Sequence, residues 1–255
     1  MNMTKQAKNG VKSIEKTLQV LNTLMELNGA GTTEIASELD MPKSTVHNYL
    51  STLVQEELIV KKGSSYRIGI QFLELGAYAR QQFKISEIAK PEINKLARST
   101  GELANLMIEE HGKGSYLHRK RGDNAVRVEA HVGTRVPLHS TGLGKTILAH
   151  LSEERREQIL GDGSLKEYTK NTITDKERLV TELEKIQERG YAFDDEERLP
   201  GLRCVAAPIL STNERILGAV SVSGPSNRMQ KEYLKEELLR QVLETVNVIE
   251  LNVTY

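Results

Sequence analysis

In the first seventy residues, apolar runs of helical period are cut by two turn signals and followed by a pair of short β-type runs. That order admits few folds. From Val11 to Leu27 the apolar residues fall at 11, 14, 18, 21, 24 and 25, which predicts a helix with one buried face. Asn28-Gly-Ala-Gly31 ends it. Thr32–Leu39 reads as a second, short helix burying Ile35, Ala36 and Leu39. Asp40-Met41 makes a tight turn, and Pro42 stands where a first helical turn tolerates proline. The third helix runs to about Glu57, with Val46, Leu50, Leu53 and Val54 inward. Leu58–Lys61 and Ser65–Ile68 then flank a Lys62-Gly-Ser64 turn, the pattern of a small hairpin. Three helices, the last two joined by a tight turn, and then a two-stranded ribbon give the order of a winged helix-turn-helix.

A DNA partner is not announced by charge. Residues 1–80 carry nine basic and eight acidic side chains, and the 255-residue chain balances 35 Lys+Arg against 35 Asp+Glu. Any positive charge for nucleic acid must therefore be local. The outer face of the third helix offers Lys43, Ser44, Thr45, His47, Asn48 and Ser51. These are short donors and acceptors plus one cation, suited to phosphates and base edges in a major groove. Asn48 has the geometry to pair bidentately with adenine. Lys61, Lys62 and Arg67 put charge on the wing, near phosphate or the minor groove. Each of these residues also fits a merely solvated surface. Neutralising ~6–10 phosphates takes a dimer, whose two-fold axis matches pseudo-palindromic half-sites. Gln71 to about Phe83 and Ile85 to Ser99 read as helices of a linker, where Phe72, Leu75 and Ala79 can meet a partner chain or their own domain.

Past Gly101 the character changes. Leu103–Glu109, Gly114–Arg121 and Ala125–His131 alternate like strands. Helices follow near Ser152–Leu160 and Asp175–Arg189, then strands near Arg203–Ile209 and Leu217–Ser223. A long helix from about Lys231 to Asn252 comes last. The mixture predicts an α+β or α/β domain, and the length suits two domains. Cys204 is the single cysteine, which excludes an internal disulfide and a Cys-rich zinc site and fits a reducing cytoplasm. No apolar run approaches the ~18–20 residues that span a bilayer. Met1–Lys8 is polar, without the apolar segment of a secretory signal. The expectation is a cytoplasmic protein with no membrane partner, no metal and no cofactor.

His139-Ser-Thr-Gly-Leu-Gly-Lys-Thr146 raises a nucleotide-binding question, because it ends like a Walker A loop. The leading glycine of that motif would fall at His139. Wrapping backbone N–H groups around phosphate needs unusual φ/ψ there, which a histidine fits poorly. No apolar strand ends in an Asp suited to magnesium, and several strands precede the segment. A strand-to-helix turn, with Ser140 or Thr141 as cap and Lys145 solvated, is the simpler reading. A glycine-containing helix start with free N–H groups also suits a carboxylate. Downstream, Asp194–Glu197, Cys204, and Ser221 with Ser223 on one strand face are groups that can converge there. Solvent-facing serines and a core cysteine remain the plain alternative.

Six segments in register then carry a resemblance. They are SIEKTLQVLNTL (13–24), MPKSTVHNYLSTL (41–53), PLHSTGLGKTILAHL (137–151), RGYAFDDEE (189–197), GLRCVAAPI (201–209) and GAVSVSGP (218–225). The sequence resembles IclR-family transcriptional regulators from about residue 11 to 250. The resemblance implies an α+β protein: a winged helix-turn-helix over 1–70, a linker helix over 71–84, and a GAF/profilin-like effector-binding domain over 85–255. It implies a homodimer or homotetramer on a double-stranded DNA operator, a repressor in preference to an activator. It also implies a small organic-acid or aromatic effector. Carried over, the effector site comprises Gly142, Leu143, Asp194, Cys204, Ser221 and Ser223, with Val128 and Val136 as an apolar wall. Family members often have a small residue where Leu143 stands, and many carry an arginine where Asn48 stands. The first departure argues against a two-carbon effector; the second prevents copying a base preference. Two rivals remain: a hydrolase or transferase using Cys204 with His139 or His118 as base, and a constitutive DNA-binding protein with an unused sensor domain.

Overall fold

The computed structural model describes residues 9–161, 165–230, 232 and 234–254. Met1–Lys8 and the expected start of the last helix at Lys231 lie outside these described residues. The chain divides into two compact units, residues 1–79 and 80–255.

In the first unit, α1 (Lys12–Glu26), α2 (Thr32–Glu38) and α3 (Lys43–Gln55) pack around Val20, Leu24, Ile35, Val46, Leu50 and Leu53. Pro42 is the residue before the first turn of α3, and its fixed φ suits the entry. The expected hairpin is β2 (Ile59–Lys62) and β3 (Ser65–Ile68), with Val60 opposite Arg67 and Lys62 opposite Ser65. A third strand, β1 (Ala30–Gly31), pairs with β3 and makes an antiparallel sheet of order β1–β3–β2. Sequence pattern treats these two residues as part of a turn, and two residues carry no period.

Two expected burials are corrected. Helix α1 buries Val20, Leu21, Thr23 and Leu24, whereas Val11, Ile14, Leu18 and Met25 are more than half exposed. The helix carries two apolar faces, and only one meets its own unit. Val54 stands at the rim of α3, 37% exposed. In α4 (Gln71–Gln81), Phe72 packs against the first unit's core, but Leu75 and Ala79 are exposed.

The second unit is built on a six-stranded antiparallel sheet of order β6–β5–β4–β9–β8–β7. Its strands are β4 (Leu103–Glu110), β5 (Lys113–Arg121), β6 (Arg135–Pro137), β7 (Ala192–Asp195), β8 (Leu202–Leu210) and β9 (Ile216–Pro225). Alternation sends Ala104, Leu106, Val205, Ala207, Val220 and Val222 to one face, under α5 (Lys84–Thr100) and α9 (Leu239–Thr254). Met107, Ala206 and Ala219 take the other, under α6 (Gly142–His150) and α8 (Lys176–Arg189). A further helix, α7 (Glu153–Leu160), follows α6, and Leu234–Leu238 forms a π-helical turn ahead of α9.

Ala125–His131 is a loop, not a strand. The free edge of β5 pairs only with β6, through Lys113–Ser115, so no strand lies beside the segment. Its carbonyls go to guanidiniums instead: Arg121 donates to Ala125 O and Arg119 donates to Ala130 O. Strand β7 was hidden by its acidic end and its length of four residues.

The start of α6 sits unusually close to the chain before it. A methyl at Gly144 would run into the Leu138 main chain, where nothing can yield. Gly144→Ala is expected to destabilise by at least ~2 kcal/mol, as overpacking against backbone does. Gly190→Ala, at a left-handed helix cap with open space around it, costs about 1 kcal/mol. Urea denaturation of the two variants checks the difference.

Candidate functional site

On α3 the buried positions Val46, Leu50 and Leu53 fix which side faces out. Lys43, Ser44, His47, Asn48 and Ser51 are exposed and Thr45 is half-buried. His47 Nδ1 and Ser51 Oγ are 3.4 Å apart, one turn from each other. Thr52 and Gln55 share this exposed surface and were not singled out from sequence. Thr45 and Asn48 also line a hollow of about 420 Å³ with Ser13, Thr17 and Thr52. On the wing, the register puts Lys62 and Arg67 on one face of the ribbon. Lys61 lies on the other face, its ammonium 5.7 Å from the Tyr66 ring centroid.

In the second unit, register brings the predicted polar groups together. One row across the sheet runs Arg119, Asn105, Ser221, Ala206; the next runs Leu103, Ser223, Cys204, Asp194. All share the face under α6. The helix starts over Cys204 and Asp194: a Cβ on Gly142 would lie 2.7 Å from Cys204 Sγ and 3.4 Å from Asp194 Cβ. Thr141 caps it, its Oγ1 accepting from Gly144 N–H at 2.9 Å. The N–H groups of Gly142 and Leu143 have no partner within the helix.

Lys145 is not solvated. It is 2% exposed, and its Nζ donates to Glu197 Oε1 at 2.5 Å. Glu197 N–H donates to Asp194 Oδ1 at 2.8 Å, so α6 and the turn after β7 are tied through one buried network. Burial raises the Glu197 carboxyl, while Lys145 opposes it. Burial, then the Glu197 charge, push Asp194 up to about 7. Burial also pushes the Cys204 thiol up, with the Gly142 N–H opposing it. Tyr116 is pushed up to about 12, first by burial, with Arg119 opposing. The Arg119 guanidinium sits 4.8 Å from the Tyr116 ring centroid.

Of the residues expected at the effector site, Gly142, Asp194, Cys204, Ser221 and Ser223 converge. Leu143 and Val136 are buried in the apolar cluster under α6. Val128 is half-buried in the loop before β6. His118 is bonded to Asn94 Oδ1 at 3.0 Å, and His139 to Lys166 O at 2.9 Å. Neither is hydrogen-bonded to Cys204 among the described residues. Sequence reasoning missed Asn105, Tyr116 and Arg119, misread Lys145 as solvated, and named Glu197 only within the acidic stretch Asp194–Glu197. An asparagine inside the apolar run Leu103–Ile108 was a visible signal. The Tyr116–Arg119 pairing was not, because it depends on a bulge: Leu106 pairs with His118 and Met107 with Tyr116, skipping Leu117.

The Asp194 environment sets a pH dependence. Its folded pKa of about 7 lies above the ordinary 3.8, so the folded state holds the proton more tightly. Stability contributed this way is complete below about pH 4 and is lost as pH rises through 7. Asp194→Asn, which keeps an oxygen for the Glu197 N–H, is expected to raise the melting temperature at pH 8. The gain should shrink toward pH 4, as a series of thermal melts will show.

Both halves of the chain match known families. Residues 13–63 match the IclR helix-turn-helix domain, and residues 77–251 match the bacterial transcriptional regulator IclR C-terminal domain. A probable HTH-type transcriptional regulator ArcR of Halobacterium salinarum is 32% identical over 94% of this chain and 93% of its own. The transcriptional repressor IclR of Escherichia coli is 31% identical over 89% of this chain and 84% of its own. The crystal structure of Thermotoga maritima IclR matches with a TM-score of 0.80 at 30% identity, covering 96% of this chain and 99% of that one. An IclR homolog from Microbacterium hydrocarbonoxydans complexed with 4-hydroxybenzoate shares the fold, with a TM-score of 0.78 at 23% identity over 93% of this chain and 98% of that one. With the DNA-reading half and the sheet domain each matched, and relatives aligned over most of their length, the chain belongs to the IclR family of DNA-binding transcriptional regulators.

Proposed function

We propose that this regulator is an operator-binding repressor whose DNA affinity is set by a small organic-acid or aromatic metabolite held at the start of α6. Residues 1–70 read DNA, 71–84 link, and 85–255 bind the effector. The observation that carries the effector site is the convergence of buried polar groups on one spot: the start of α6, whose Gly142 lies against Cys204 and Asp194, and the hydroxyls of Ser221 and Ser223 in the neighbouring strand. A carboxylate is the ligand group that such donors suit. Asp194, titrating near 7, is largely neutral in mildly acidic solution and then does not repel an anion. The 4-hydroxybenzoate bound by the Microbacterium homolog is an acid of this kind. Leu143, packed in the apolar cluster, favours an effector larger than two carbons.

Repression is supported by relatives described as the transcriptional repressor IclR and the acetate operon repressor. A regulator is favoured over a cysteine enzyme because the Cys204 thiol is held protonated by burial and no histidine is bonded to it. A cytoplasmic homodimer, or a tetramer built from it, completes the reading. Its supports are the exposed apolar stripe Val11, Ile14, Leu18 and Met25 on α1 and the exposed Leu73, Leu75 and Tyr78 on α4. No helix is long and apolar enough to cross a membrane among the described residues.

Asn48 carries base reading in this account and Lys62 carries phosphate contact. On a duplex selected from a random pool, Asn48→Ala should cost ~1–3 kcal/mol and relax preference at one base pair. Lys62→Ala should weaken all sequences alike and reduce the salt slope by about one. Fluorescence anisotropy at several salt concentrations distinguishes them. Wild-type affinity from both variants would remove α3 and the wing as the reading surface.

A further inference from the structure

The two strand serines present an unmet requirement. Ser221 is fully buried and Ser223 is 7% exposed, yet neither hydroxyl proton has an acceptor among the described residues. Asn105 Nδ2 lies 3.2 Å from Ser221 Oγ and 3.4 Å from both Ser223 Oγ and Leu103 O, so its two protons are shared among three acceptors and Ser221 is the nearest. Which end of the Asn105 amide faces them is not a free choice. Arg119 Nε–H, 3.0 Å from Asn105 on the other side, can only donate, so the amide oxygen must face Arg119. The NH₂ group must then face the serines. Arg119 is itself fixed by its stack on Tyr116 and its bond to the Ala130 carbonyl. It has no carboxylate partner among the described residues.

Building on the proposed effector site, we infer that Arg119 and Asn105 set its hydrogen-bonding polarity. They turn the Asn105 NH₂ toward Ser221 and Ser223, so the serines face a donor there and their own hydroxyl protons are left to donate to a ligand. Two buried hydroxyl donors, with the Leu143 N–H at the start of α6 beside them, call for a group that accepts, while the Gly142 N–H is turned to Asp194 and Cys204. A carboxylate is such a group. A primary amide brings NH₂ protons that find no acceptor to match at the two hydroxyl protons, and an amine brings nothing else. The Arg119–Asn105 relay is therefore a specificity device for carboxylates over their neutral isosteres. Arg119 and Asn105 act as positioning residues, and the bulge opposite Leu106/Met107 is what brings Arg119 to this face.

The test uses the full-length chain at pH 6, where Asp194 is mostly protonated. Calorimetry measures pyruvate, benzoate and 4-hydroxybenzoate, each against its primary amide. Wild type should prefer the acid by at least ~10-fold, the scale of hydrogen bonds to a charged group. Asn105→Asp keeps the contact with Arg119 but takes protons from the serines, and should abolish the preference. Asn105→Leu should also abolish it, although the Arg119 charge remains, which separates orientation from plain attraction. Arg119→Gln, which can face Asn105 with either end, should lose most of the preference, and Arg119→Lys, a pure donor, should restore it. Should Asn105→Leu fail to fold in thermal melts, Asn105→Asp and the Arg119 pair decide. Equal binding of acid and amide to wild type would overturn the relay. So would a full acid preference in the Asn105 variants, while leaving the effector site standing. If no acid and no amide binds wild type, the effector site itself falls and the relay with it.

Discussion

Close approach of the α6 backbone to the sheet is the constraint on which the second unit depends. Gly142 and Gly144 allow it, because a side chain at either would occupy space already held by Cys204 or by the Leu138 main chain. That contact brings Lys145 into the interior, where its ion pair among the described residues is with Glu197. A buried pair of this kind is weak as a source of stability but strict about geometry, since each partner alone is strongly unfavourable. It sets the turn after β7, hence Asp194, hence the polar end of an otherwise apolar face. The same closeness puts the first backbone N–H of α6 against Asp194 and Cys204.

Much of this was legible in the sequence, and the failures have common causes. The winged helix-turn-helix could be read because Gly, Asp and Pro punctuate helical periods, and the outward face of α3 follows directly from Val46, Leu50 and Leu53. Asp194, Cys204, Ser221 and Ser223 could be singled out as groups able to converge, but only a resemblance made them one site, since strand register across β7, β8 and β9 has no local signature. Lys145 was misread as solvated because a lysine after two glycines looks the same whether or not a glutamate fifty residues later reaches it. Tyr116 and Arg119 were invisible for a different reason. A strand alternates by twos, and only a bulge lets residues three apart share a face. The α1 stripe misled the burial assignment because apolar periodicity marks a face without saying whether anything covers it.

Functionally the two units have different chemistry for different tasks. The first offers an exposed, short-chain polar helix face with sparse positive charge, so affinity must come from repetition of the module. The second hides its polar groups, where low dielectric strengthens each hydrogen bond and makes an unmatched donor costly. A ligand that satisfies those donors stabilises whichever arrangement of the chain holds them in place. If that arrangement differs in operator affinity, binding becomes regulation, with coupling of ~1–3 kcal/mol as the usual range.

The most direct measurement is operator affinity of the full-length chain with and without a carboxylate that calorimetry has shown to be bound. An anisotropy titration on one selected duplex should shift by at least ~5-fold when the ligand is saturating. An unchanged dissociation constant, with the ligand demonstrably in place, would contradict the account.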